Sequence, residues 1–230
     1  MKIKKLNFLE KKLFTKHDLL LQFAKNNNVV HYGCIDDSFD IIDSKMSQNY
    51  YLHKLITDNS SKCIGFDINK NGVDYLFEKY GIDNIYYGNV ENPESFNIDK
   101  SELLNTDVLL IPDLIEHINN PGMMLESITK YYPKHVKVYI ITPNPFSYLN
   151  FVFTLFNREF YNVYHTCYFS TNNMNVLLSN NGFKINKVYP CYLPKDRGWF
   201  INTADKIINH FLTIFTYGFC DNYVYECEIK

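Results

Sequence analysis

A chain of 230 residues, 46% hydrophobic and carrying a net charge of −2, has the apolar mass for one large domain. It lacks the clustered basic charge that an extended nucleic-acid partner demands, so no nucleic acid is expected as substrate. The cysteines at 34, 63, 167, 191, 220 and 227 include no Cys-x-x-Cys pair, which excludes zinc-ribbon spacing. Residues 1–25 are Lys-rich and interrupted by charge throughout, unlike a signal peptide, so reduced thiols and a cytoplasmic location are expected. Arg stands only at 158 and 197 among 23 basic residues, and Asn is abundant, a composition that points to an AT-rich bacterial gene.

Leu6, Leu9, Leu13, Leu20, Leu21 and Ala24 fall near helical spacing and predict one or two amphipathic helices before residue 27, stopped by Asn26-Asn27-Asn28. Val29 to Tyr32 reads as a buried strand ending at Gly33. A helix is predicted over 44–57, a strand over 62–67, and a helix from Asn71 to Tyr80 closed by Gly81. Strands follow at 84–88, 106–111 and 136–142, the last two separated by a helix that Pro121 opens. Beyond Pro143 and Pro145 the chain turns aromatic (146–156), then polar and aromatic (157–165). Ser170 reads as an N-cap of a helix ending at Gly182. A strand over 183–193, an apolar helix over 204–215 and a final antiparallel strand over 223–229 complete the pattern. Neither apolar stretch reaches the ~20 residues of a membrane span. The alternation predicts a single α/β domain with a doubly wound, seven-stranded, mostly parallel sheet, one antiparallel edge, and helical insertions after strand five and near the C-terminus. Residues 1–27 form N-terminal helices in this reading, 28–145 a cofactor-binding half and 146–230 an acceptor-side half.

Chemistry collects at the predicted strand ends. Gly33 sits where a chain must turn and let a ligand approach the backbone. Asp67, at the end of the second strand, is placed to accept hydrogen bonds from a ribose, and Asn89 closes the third strand near an adenine edge. The fourth strand runs straight into Asp113, Glu116 and His117, three polar groups that make poor core and a good site.

Read in order, His31-Tyr32-Gly33-Cys34, Gly65-Phe66-Asp67, Gly88-Asn89-Val90-Glu91 and Asp113-Leu114-Ile115-Glu116-His117 resemble the motifs of class I S-adenosylmethionine-dependent methyltransferases. The group that includes the ubiquinone-biosynthesis O-methyltransferases is the nearest in pattern. Thr142-Pro143-Asn144, His165 to Phe169 and Gly182-Phe183 extend the likeness over about residues 28–190. The resemblance implies a Rossmann-like fold and S-adenosylmethionine held by His31, Gly33, Cys34, Asp36, Asp67, Ile68, Asn89, Val90, Pro112 and Asp113. Two departures stand out. Ile35-Asp36-Asp37 replace the further glycines of the family's loop, which makes Asp36 a candidate acceptor for the methionine ammonium. Asn89 replaces the usual acid near adenine, and its amide oxygen can still accept.

The Asp113, Glu116 and His117 cluster keeps three roles open. Glu116 can cap the next helix while His117 bonds a backbone carbonyl; His117 can act as general base; or a divalent metal can sit there. In related methyltransferases a similar acid-x-x-Glu-His pattern holds magnesium, which here implies Asp113, Glu116 and His117 as ligands, with His165 as a fourth. His117, Glu116 and His165 are the candidate catalytic residues. The expected reaction is O-methylation of a small-molecule or saccharide acceptor, with cell-surface polysaccharide tailoring as one setting. A nicotinamide-dependent oxidoreductase is the alternative, opposed by the missing Gly-x-Gly-x-x-Gly, and a non-catalytic cofactor-binding partner subunit is another. Segments 146–161 and 199–215 read as lid and packing, with a homodimer surface competing for the second.

Overall fold

Short apolar runs divided by polar turns fold into one eight-stranded sheet flanked by helices. The computed structural model describes residues 9–159, 162–192, 211 and 216–230. In chain order the elements are β1 (Phe14–Thr15), α1 (Lys16–Ala24), β2 (Asn28–Tyr32), α2 (Phe39–Ser47), α3 (Leu52–Asn59), β3 (Lys62–Asp67), α4 (Lys70–Tyr80) and β4 (Ile85–Tyr87). They continue with β5 (Val108–Pro112), α5 (Pro121–Tyr131), β6 (Lys137–Pro143), α6 (Tyr148–Leu155), α7 (Thr171–Asn180), β7 (Phe183–Tyr192) and β8 (Asn222–Ile229).

The strand order is β1-β7-β8-β6-β5-β2-β3-β4. Strands β2 to β6 pair in parallel, and all five residues of β5 are buried, as a parallel strand covered on both faces requires. One face carries the larger core, with Tyr32, Phe66, Leu109, Ile140 and Tyr225; the other is packed by Leu19, Leu20 and Ala24 of α1 against Val29, Val108 and Leu110. Strand order reverses at β2, which has β3 on one side and β5 on the other. Outside the carboxyl ends of the strands at that switch point a crevice must open, and ligands of doubly wound sheets bind there.

Four expectations change. The sheet has eight strands, because Phe14–Thr15 adds to the edge of β7 where a helix is predicted. Within the described N-terminal residues a single helix, α1, follows it. The antiparallel strand is not an edge: β8 lies between β6 and β7 and pairs antiparallel with both. The helix predicted over 44–57 is two, capped at Ser38 and broken at Asn49, whose φ of 52° takes the left-handed conformation that ends a helix. The predicted helix over 204–215 lies, apart from Phe211, outside the described residues.

Candidate active site

The crevice at the switch point is a cleft of about 370 Å³, within the range of small-molecule sites. Gly33 makes its first wall. With φ at 69°, and its N–H donating to Phe66 O over 2.9 Å, it turns the chain off β2 into the Cys34–Asp37 loop. Tyr51 closes this loop from below by donating to Cys34 O at 2.6 Å. His31 lies beneath it, 1% exposed, its Nδ1 3.2 Å from His53 Nδ1 and its Nε2 without a partner. Burial, then the neighbouring His53 and Lys16, holds its pKa well below the usual imidazole value.

Asp67 ends β3 with its carboxylate turned to that loop, accepting from Ile35 N and Asn69 N, each at 2.9 Å. Burial raises its pKa while these backbone donors oppose the shift. Asn69, accepting from Gly72 N at 3.0 Å, caps α4, so Asp67 is free of that duty. Asn89 spends its amide oxygen on Glu91 N at 2.9 Å.

Asp113 follows β5 in the left-handed region, φ 48°, a conformation that short polar residues tolerate and that is found at functional sites. Its carboxylate is ion-paired with Lys16 and accepts from Asn222 Nδ2 at 3.2 Å. Residues 115–117 form a turn rather than a helix, closed by His117 N donating to Leu114 O at 2.9 Å. That turn buries Glu116 completely and leaves both its oxygens without a hydrogen-bond partner. Burial, reinforced by the Asp113 charge, pushes its pKa up to about 8, against the opposing influence of its backbone, Thr142 and Lys16. Glu116 does not cap α5; Asn120 does, accepting from Met123 N at 3.4 Å.

His165 arrives from a distant loop stitched to the same turn: Thr166 N donates to Glu116 O at 2.8 Å, and Thr166 Oγ1 lies 3.0 Å from the carbonyls of Glu116 and Ile118. The rings of His117 and His165 meet edge to face, centroids 4.7 Å apart. Nδ1 of His165 is buried without a partner, and burial followed by the His117 charge lowers its pKa. Ligand atoms of Glu116, His117 and His165 all lie within 4.8 Å of one another. Asp113 is outside that group.

Of the residues predicted for the cofactor, His31, Gly33, Cys34, Asp36, Pro112 and Asp113 line the cleft. Asp67, Ile68, Asn89 and Val90 stand at the adjacent ends of β3 and β4 rather than in it, Ile68 exposed and Val90 buried. Asp36 is ion-paired with Lys45, so it meets a ligand with its charge already compensated. The cleft also takes Lys16, His17, Lys45, Tyr51, Asn162 and Asn222, which motif reading missed. For Lys16 a signal existed: it shares the buried stripe of α1 with Leu19, Leu20 and Ala24.

A doubly wound sheet with one reversed strand set inside it, and with a glycine turn, an acid and a carboxylate–imidazole cluster at its strand ends, defines a nucleotide-cofactor fold. Residues 6–188 match the family model described as a methyltransferase domain, and the chain belongs to that family. It is a class I S-adenosylmethionine-dependent methyltransferase. No curated protein matches it in sequence. Among solved structures it is similar to a SAM-dependent methyltransferase from Archaeoglobus fulgidus, at TM-score 0.56 and 16% identity over 94% of this chain and 95% of that one. A second is magnesium protoporphyrin IX methyltransferase from Synechocystis with bound S-adenosylhomocysteine, at TM-score 0.54 and 11% identity over 93% and 82%. A third, mitomycin 7-O-methyltransferase, matches at TM-score 0.53 and 14% identity over 93% of this chain and 54% of that one. These likenesses speak for the fold. With the family assigned, the oxidoreductase and non-catalytic alternatives fall. No helix among the described residues is long and apolar enough to cross a membrane.

Proposed function

We propose that this chain, acting as one methyltransferase domain, methylates a hydroxyl oxygen of a small-molecule or saccharide acceptor held in the switch-point cleft. The observation that carries the proposal is the Glu116, His117 and His165 group, within 4.8 Å, on the wall of the cleft that the Gly33 loop also lines. Bound S-adenosylmethionine supplies an already activated methyl group, and the protein's part is to orient the acceptor and take its proton. In this reading Gly33, Cys34 and Pro112 border the amino-acid end, Asp67 accepts from the ribose, and Asn89 and Val90 border adenine.

The site's electrostatics divide the catalytic roles. A carboxyl with its pKa near 8 is protonated at neutral pH, so Glu116 orients rather than accepts a proton. His117, half-buried and beside a neutral imidazole, is the base. Magnesium, which the resemblance implies, has less support. One buried carboxylate and two imidazoles are not the oxygen-rich set this hard ion prefers, and the second carboxylate is held by Lys16 and Asn222.

Asp37, Asn162 and the paired histidines give the cleft polar groups suited to a hydroxyl-rich acceptor such as a saccharide, and cell-surface polysaccharide tailoring in a bacterium is the setting proposed for it. Six free cysteines fit the reducing cytoplasm. Release of S-adenosylhomocysteine, measured across a panel of phenols, quinols and saccharides, tests the reading. At least one hydroxylated acceptor is expected to turn over, and His117→Ala to slow it ~10²–10⁴-fold with cofactor affinity retained. Turnover with amine acceptors alone, or full activity of folded His117→Ala, would overturn the proposal.

A further inference from the structure

The first residue of α1 places a lysine inside the catalytic cluster. Lys16 is only 7% exposed, its ammonium paired with Asp113 and its charge acting also on Glu116. Leu19, Leu20 and Ala24, all buried on the same helical stripe, hold α1 against the sheet, and Lys16 continues that stripe past the strand ends into the cleft. A buried ammonium is retained only where a partner compensates it, and here the partner is the carboxylate that opens the Asp-x-x-Glu-His sequence. Asn222 completes the clamp on the other Asp113 oxygen. In the same turn Glu116, fully buried, keeps both oxygens unbonded, so the cluster has acceptor capacity that no protein group in the described residues takes up.

We propose that Lys16 is the resident cation of the Asp113–Glu116 cluster, compensating Asp113 from within the chain and closing the site to a divalent metal. The inference rests on the methyl-transfer reading only for its consequence, that proton removal from the acceptor proceeds without metal. A cluster facing a fixed ammonium offers a dication repulsion where an uncompensated acid pair would offer attraction. Asp113 is thereby a positioned counter-ion rather than a ligand, and His117 and His165 stand beside a carboxyl whose oxygens remain for the acceptor.

The test is a titration of Mn²⁺ alone, followed by the loss of its free-ion paramagnetic resonance signal at pH 8, on the full chain and its variants. The native protein and Lys16→Arg are expected to leave Mn²⁺ free, while Lys16→Met and Lys16→Gln gain a site ~10-fold or more tighter, the order expected from removing one nearby unit charge. Adding Asp113→Asn to Lys16→Met should abolish the gain. Two results would overturn the proposal: native protein that binds Mn²⁺ as tightly as Lys16→Met, or folded Lys16→Met and Lys16→Gln that gain nothing. S-adenosylhomocysteine affinity, measured on the same samples, reports on the methyl-transfer reading separately. Failure of native protein to bind it would sink that reading and leave the Mn²⁺ result to judge Lys16.

Discussion

Glu116, fully buried and without a hydrogen-bond partner, makes folding depend on pH in a definite direction. Its pKa near 8 in the folded chain stands against an ordinary value of 4.5, so between those limits the folded state holds a proton that the unfolded state has released. Stability from this group is complete below the lower value and is lost as pH rises through the upper one. Glu116→Gln removes the ionisation. Thermal melts should show the variant more stable than native protein at pH 8.5, by up to a few kcal/mol, with the difference shrinking toward pH 5. A difference independent of pH would place the carboxyl in a solvated setting. The meeting of Glu116 and His117 beyond β5 was legible from residue order alone, because polar groups at an apolar strand's end have no role in a core, whereas the interest of His165 came only with the family resemblance. Lys16 was not. Its pairing with Asp113 joins residues far apart in sequence, and only its place on the apolar stripe of α1 signals burial.

At the scale of elements, the turn after β2 is supported from the neighbouring strand. Gly65, in the middle of β3, has no room for a side chain: a Cβ there would lie 2.7 Å from His53 Cε1 and 2.8 Å from Cys34 Sγ. Gly65→Ala therefore has to displace either the buried His31–His53 pair or the cysteine of the Cys34–Asp37 loop, at a cost of ~1–3 kcal/mol. Urea unfolding measures it, and a variant as stable as native protein would show that the loop yields freely. Strand runs and helix caps such as Ser170 and Gly81 were readable because caps and glycine stops act locally. The break at Asn49 was misread because helical spacing continues across it, and a single left-handed asparagine leaves no mark on apolar periodicity. Pro121 opens α5 as its sequence position predicts, and the turn at 115–117 keeps Glu116 away from that helix start, so Asn120 caps it instead.

For the whole molecule, alternation of strand and helix sufficed for a parallel α/β sheet, since crossover helices must cover both faces. Alternation does not say where a reversed strand inserts. β8 pairs on both sides through residues from Asn222 to Ile229, and its interior place follows from long-range register with β6 and β7. The two-residue β1 is shorter than any pattern can register, yet it anchors α1 at the edge of β7 and so sets where Lys16 enters the cleft. The central claim is that the strand ends of β2, β3 and β4 bind S-adenosylmethionine with Asp67 on the ribose. Calorimetric titration of S-adenosylhomocysteine into native protein and Asp67→Ala tests it most directly, with melting temperatures confirming that both are folded and NAD as the control ligand. The expected result is binding by native protein, a loss of ~2–3 kcal/mol or roughly 30–150-fold in Asp67→Ala, and no response to NAD. Equal affinity in the two proteins would move the ribose away from Asp67, and heat from NAD with none from S-adenosylhomocysteine would contradict the account.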